Sequence, residues 1–114
     1  MKVFKGQRGP QGTLVTVDGQ PLAMHTELRD FKSDGFEWGY EGSGPSQLAL
    51  AILAEHRGPD DALRYFRHFM QTIIAEIESD EWTLTSDDIE QRASEVTIVN
   101  MDLETLLRKV RGEI

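Results

Sequence analysis

Apolar residues along this chain change their spacing several times, and each change marks an element. Thr13-Leu14-Val15-Thr16-Val17 alternates and is rich in β-branched residues, the pattern of a half-buried strand. Asp18-Gly19 follows directly and predicts a tight hairpin, because a type I′ turn needs positive φ at both central residues. Pro21 in the return arm lacks an amide donor and predicts an edge strand. Upstream, a short strand is expected over Lys2 to Lys5, then a turn-rich stretch from Gly6 to Gly12. Residues 23–34 are polar, with a candidate short strand around Leu28 to Phe31. Phe36, Trp38 and Tyr40 sit two apart, so an extended chain places them on one face and Glu37 on the other.

The period then lengthens. Gly42-Ser43-Gly44-Pro45-Ser46 reads as a helix entrance, with Pro suited to a first-turn position and Ser or Gly to the cap. Gln47 to His56 is apolar almost all round, which predicts a central buried helix. Gly58-Pro59 breaks it and opens another, with Asp60 and Asp61 placed to complement the dipole. Leu63, Phe66, Phe69 or Met70, Ile73 and Ile77 recur at helical spacing, mostly opposite Arg64, Arg67, His68 and Gln71. Ser79-Asp80-Glu81 ends that helix, and Trp82-Thr83-Leu84 reads as a short linker with two anchoring side chains. Thr85 and Asp88 approximate a capping box for a helix running to about Ala93. Val96 to Val99 is expected as a strand and Asp102 to about Val110 as a last helix. The expected fold is α+β: a small antiparallel sheet from the N-terminal half, packed against two main helices, with shorter C-terminal helices.

Composition narrows the class. A chain of 114 residues is one domain, 1–114, and can bury roughly two-thirds of its unfolded surface. Two Trp, two Tyr and five Phe exceed what a solvated tail carries. The absence of cysteine excludes disulfides and thiolate chemistry, and fits a reducing compartment. The N-terminus shows no apolar signal segment, and the longest apolar run, Leu48 to Ala54, falls far short of the ~20 residues that span a bilayer. A cytoplasmic protein without membrane contact is expected.

Charge changes the picture further. The formal net charge is −8, concentrated between Glu76 and Glu104, where Arg92 is the one cation among many carboxylates. Such a surface repels phosphate, which argues against direct nucleic-acid binding, and attracts a protein partner with a basic surface. Asp80, Glu81, Asp87, Asp88 and Glu90 are the candidate interaction residues. A plain solubilising surface is the competing explanation.

Chemistry is sparse. Phe36 to Ser46 joins an aromatic face to a helix N-terminus whose free amides suit an anion or carboxylate, making Glu37, Trp38, Tyr40, Ser43 and Ser46 candidate binding residues. Glu37 and Glu41 would repel an anion there, and the Lys and Ser/Thr that complete a phosphate loop are missing. The structural alternative is a strand packing its aromatics on the helices. His25, His56 and His68 show no i, i+3 or i, i+4 pairing, so no metal site is expected. Gly42-Ser43-Gly44 is not a nucleophile elbow, and Asp60-Asp61 and Asp87-Asp88 are explained by capping. No catalytic residue or cofactor is assigned.

Three segments carry a resemblance. Thr16 to Leu22 (Thr-Val-Asp-Gly-x-Pro-Leu), Gly35 to Ala51 (with Phe-Glu-Trp-Gly-Tyr-x-Gly-Ser-Gly-Pro) and Trp82 to Ile89 resemble a family of small uncharacterised domains of bacteria, archaea and their phages. The resemblance covers about the first 90 residues and leaves 94–114 as a variable C-terminal addition. It implies no activity, only that a phage-related or host-interaction role fits.

The leading expectation is therefore a non-enzymatic protein-interaction module. A sharper form is a counter-defence inhibitor whose acidic surface occupies a nucleic-acid groove on its target, in which case neutralising Asp87, Asp88 and Glu90 abolishes binding. The alternatives are a small-ligand binder or minor enzyme, with a pocket lined by Trp38 and Tyr40, and a structural subunit of a larger assembly. Sequence does not rank oligomeric states.

Overall fold

A computed structural model describes residues 2–91. The expected helix end near Ala93, the strand Val96 to Val99, the helix from Asp102 and the 94–114 addition lie outside the described residues.

Four strands form one antiparallel sheet: β1 (Val3–Gly9), β2 (Gly12–Val17), β3 (Gln20–Pro21) and β4 (Glu81–Thr85), in the order β3-β2-β1-β4. The β2–β3 hairpin turns at Asp18 (φ 50) and Gly19 (φ 84), the two positive values that the Asp-Gly pair predicted. Asp18 also accepts a hydrogen bond from the Val3 amide through Oδ1 at 2.9 Å, tying the turn to β1. The two-residue β3 with Pro21 is the expected edge.

Two expectations about the sheet are corrected. Gly6 to Gly9 continues β1, so the turn-rich stretch shrinks to Pro10 and Gln11. Trp82-Thr83-Leu84 is a strand and not a linker. The two corrections have one cause. Gly6 lies opposite Trp82 in the register, and a Cβ on Gly6 would stand 2.3 Å from the indole. Glycine is there to admit the ring, and the ring belongs to the strand that pairs with it. Leu84 faces Phe4 on the same side, while Thr83 faces Lys5 on the other.

Both main helices lie on the face carrying Phe4, Val15 and Leu84. Helix α1 (Ser43–Arg57) starts at Ser43, so the Gly/Ser/Pro entrance is already helical. Leu48, Leu50 and Ile52 are wholly buried and each contributes about 1.5–3 kcal/mol relative to exposure. Helix α2 (Pro59–Thr72) follows after Gly58 alone, whose φ of 98 makes a one-residue joint sterically permissible. Its buried stripe is Ala62, Phe66, Phe69 and Met70; Leu63 is 40% exposed, contrary to its expected core place. The helix does not reach Ile77: Ile73 ends it and Ile74–Glu76 forms a 3₁₀ turn. A short helix α3 (86–91) begins with the predicted box, in which Asp88 N–H donates to Thr85 Oγ1 at 3.1 Å and Thr85 N–H to Asp88 Oδ2 at 3.0 Å.

Between β3 and α1 the chain has no regular structure, so the candidate strands at Leu28 to Phe31 and Phe36 to Tyr40 do not form. Gln47 replaces a ladder there. Its wholly buried amide donates to the carbonyls of Met24 (2.6 Å) and Arg29 (3.1 Å) and accepts from the amides of Phe31 (2.8 Å) and Lys32 (3.2 Å). One side chain thus satisfies four backbone groups of a loop packed against the core.

Candidate functional site

The aromatic-glycine loop is held by the fold more than it is offered to a ligand. Phe36 and Trp38 are buried, Trp38 to 1% exposure, whereas Tyr40 is 50% exposed. The expected single aromatic face is broken at Gly39, whose φ of 90 ends the alternation and whose amide donates to Ile74 O at 3.0 Å. Trp38 Nε1 donates to the Ser79 carbonyl at 2.9 Å, and its ring meets Trp82 edge-on, with centroids 5.6 Å apart and planes at 85°. The buried Trp82 Nε1 has no hydrogen-bond acceptor among the described residues. The perpendicular Trp38 ring is its aromatic neighbour.

Arg8 closes this arrangement. Its guanidinium lies 4.6 Å over the Trp38 ring and donates to Glu37 Oε1 (2.7 Å), Asp80 Oδ1 (2.9 Å) and Trp38 O (3.2 Å). Glu37 chiefly, with Asp80 adding to it against partial desolvation, holds the Arg8 pKa above its ordinary value. Glu37 therefore ties β1 to the loop and is already engaged. Ser43 is exposed and Ser46 buried, and neither hydroxyl makes a hydrogen bond among the described residues. A depression of about 460 Å³ does exist, but on the outer sheet face, where Lys5, Gln7, Leu14, Thr16, Glu81 and Thr83 line it. Trp38 and Tyr40 are not part of it.

The acidic candidates divide by what they already hold. Asp80 pairs with Arg8, and Asp88 caps α3. Glu90 accepts hydrogen bonds from two Arg57 nitrogens, Nε at 2.9 Å and Nη2 at 2.8 Å, and also contacts His56 Nε2. Arg57 first and His56 second hold the Glu90 carboxyl below its usual range. Glu81 and Asp87 are exposed and join exposed Glu76 and Glu78, all four without an ion pair among the described residues.

His25 lies between two carboxylates, Nδ1 to Glu27 at 3.1 Å and Nε2 to Glu55 at 2.7 Å, so both ring nitrogens are occupied from opposite sides. That geometry cannot gather all three around one ion. Among the described residues no group of three or more His, Asp or Glu is placed to hold a metal, and no helix is long and apolar enough to cross a membrane. His56, expected to meet helix-end carbonyls, meets the Glu90 carboxylate, and exposed His68 lies on the polar side of α2.

Sequence reading passed over Arg8 and Gln47, the two residues that position the loop. Arg8 had a readable signal: continuing the Phe4, Gly6 alternation by two places puts it on the core face beside the loop. Gln47 had none, because a polar residue at the start of an apolar helix is equally at home in solvent.

These features define a small α+β domain whose conspicuous aromatic segment is a packed, salt-bridged structural element. The chain belongs to a family of unknown function, DUF6166, whose model matches residues 4–95. No curated protein and no solved structure matches it.

Proposed function

We propose that this chain is a cytoplasmic, non-enzymatic protein-interaction module that uses an acidic surface to bind a partner with a basic one, as an accessory protein of a phage or other mobile element. The supporting observation is the division of the acidic residues. Glu76, Glu78, Glu81 and Asp87 are exposed, lack ion pairs among the described residues, and lie in sequence from the 3₁₀ turn through β4 to the first turn of α3. Carboxylates left without an internal counter-charge leave their field available to an external cation, and steer a basic partner into contact.

The test neutralises only carboxylates that the fold does not use. A Glu78→Gln, Glu81→Gln, Asp87→Asn variant should keep wild-type stability and lose a basic protein partner that the parent captures from host lysate at low salt and releases at high salt. Capture of the same partner by both proteins refutes the reading. Asp88 and Glu90 are unsuitable for this test, because neutralising them removes a helix cap and an inter-element ion pair.

A further inference from the structure

A cluster of arginines lies along the middle of α2, apart from the acidic surface and beyond the first turn that holds Asp60 and Asp61. In a chain with 20 acidic and 12 basic residues, most cations should find a carboxylate. Lys2, Arg8, Lys32 and Arg57 do, each within 4.0 Å of at least one. Arg29, Arg64 and Arg67 do not among the described residues. Instead each guanidinium sits over an aromatic ring: Arg29 at 5.1 Å from Phe31 and 5.8 Å from Phe66, Arg67 at 5.9 Å from the same Phe66, and Arg64 at 6.0 Å from Tyr65. Phe66 thereby brings a loop arginine and a helix arginine to one place, and Arg64 lies one turn from Arg67.

This placement has a local cost. Like charges three apart on a helix repel, and among the described residues no carboxylate within ion-pair distance offsets it. Among the described residues these three guanidinium groups have no carboxylate partner, and an unpaired guanidinium offers N–H donors that grip a carboxylate with two parallel hydrogen bonds. Leu63 and Tyr65, large hydrophobic residues each 40% exposed, lie on the same helix. Arginine and tyrosine side by side are typical of residues that anchor protein interfaces.

We propose that the outer face of α2, with Arg29 from the loop before α1, is a docking surface for a carboxylate-rich segment of a protein partner. Charge complementarity selects a carboxylate-rich ligand, and the chain's net charge of −8 selects a short segment over a long polyanion such as nucleic acid.

The probe is a fluorescein-labelled peptide of repeating Asp-Glu-Leu, titrated by anisotropy against the full chain at low and high salt. Oligothymidylate and the Asn-Gln-Leu peptide are titrated in parallel. The acidic peptide should bind and the amide peptide should not. An Arg29→Gln, Arg64→Gln, Arg67→Gln variant should weaken binding about ten- to a hundredfold, from roughly two- to fivefold per exposed pair, and Lys5→Gln should leave it unchanged. Failure of the acidic peptide to bind at low salt overturns the proposal. So does tighter, Arg-dependent binding of oligothymidylate, or an equal loss in Lys5→Gln. Should the triple variant not fold, Arg64→Glu alone reverses the charge at an exposed site away from Phe66. It is expected to weaken peptide binding roughly four- to twenty-five-fold, a reversal counting as two neutralisations, and unchanged binding overturns the proposal.

Discussion

Replacing Gln47 by Leu tests whether one buried amide organises the loop between β3 and α1. Leucine nearly matches glutamine in volume, so no large cavity forms and the effect isolates hydrogen bonding. The wild-type amide makes four hydrogen bonds, to Met24 O, Arg29 O, Phe31 N and Lys32 N. A buried backbone group stranded without a partner loses about 1–3 kcal/mol. Arg29 is exposed and Met24, Phe31 and Lys32 are half-buried, so water can reach part of the set. Counting two of the four groups as stranded, and allowing for the apolar burial that leucine gains, the net loss is about 2–4 kcal/mol. Against a total stability of about 5–15 kcal/mol that is a large fraction.

Urea unfolding followed by tryptophan fluorescence measures the loss, because Trp38 is buried and Trp82 half-buried in the folded state. Amide hydrogen exchange should show Phe31 and Lys32 losing protection more than the α1 amides. A Gln47→Glu variant carries a sign that Leu does not. Burial raises the folded carboxyl pKa, so its stability should recover as pH falls and the folded state takes up the proton first. A loss under about 0.5 kcal/mol in Gln47→Leu, with Phe31 and Lys32 still protected, would refute the reasoning.

Gly6→Ala places a Cβ 2.3 Å from the Trp82 indole and should destabilise by roughly 2–4 kcal/mol; in a double-mutant cycle Trp82→Leu should relieve most of it, and additive losses would show that the two do not meet. Arg8→Met keeps the stem over Trp38 but loses the pairs with Glu37 and Asp80; a loss of roughly 1–2 kcal/mol in urea and a shift in Trp38 emission are expected, and an unchanged spectrum counts against the clamp. Glu90 has a lowered folded pKa, so its contribution is fully present above the ordinary value of 4.5 and is lost as pH falls through the lowered one. Because Glu90 is half-exposed, that contribution is at most about 1 kcal/mol, and Glu90→Gln should flatten the acid limb of stability against pH; an unaltered limb denies the pair a role.

Local signals in the sequence were sufficient wherever the physics is local. The Asp18-Gly19 turn, the Thr85/Asp88 box and the break at Gly58 depend on neighbours a few residues apart, and each stands as read. Strand β4 was missed although Trp82, Thr83 and Leu84 alternate, because five residues carry little periodic information and their partner β1 lies far upstream. The extended reading of Phe36, Trp38 and Tyr40 failed at Gly39, where a positive φ goes with a hydrogen bond from its amide to the distant Ile74 carbonyl. The candidate site was less legible still. Glu37 and Glu90 differ from Glu81 and Asp87 only in having an arginine from a distant element beside them.

That last difference separates fold from function by experiment. Carboxylates that face Arg8 or Arg57, or that cap α3, do structural work, so neutralising them should lower stability and affect any partner only through unfolding. Carboxylates without such a neighbour, Glu78, Glu81 and Asp87, contribute little to the folded state, because exposed charges in water interact weakly. The same division holds for the cations, with Arg8 and Arg57 inside the fold's own network and Arg29, Arg64 and Arg67 outside it. If the exposed groups were only solubilising, removing either outside set would change solubility and nothing else. If they recognise partners, the acidic and basic sets should fail in different assays, each at unchanged melting temperature. Net charge alone cannot produce that pattern, because the two sets shift it in opposite directions.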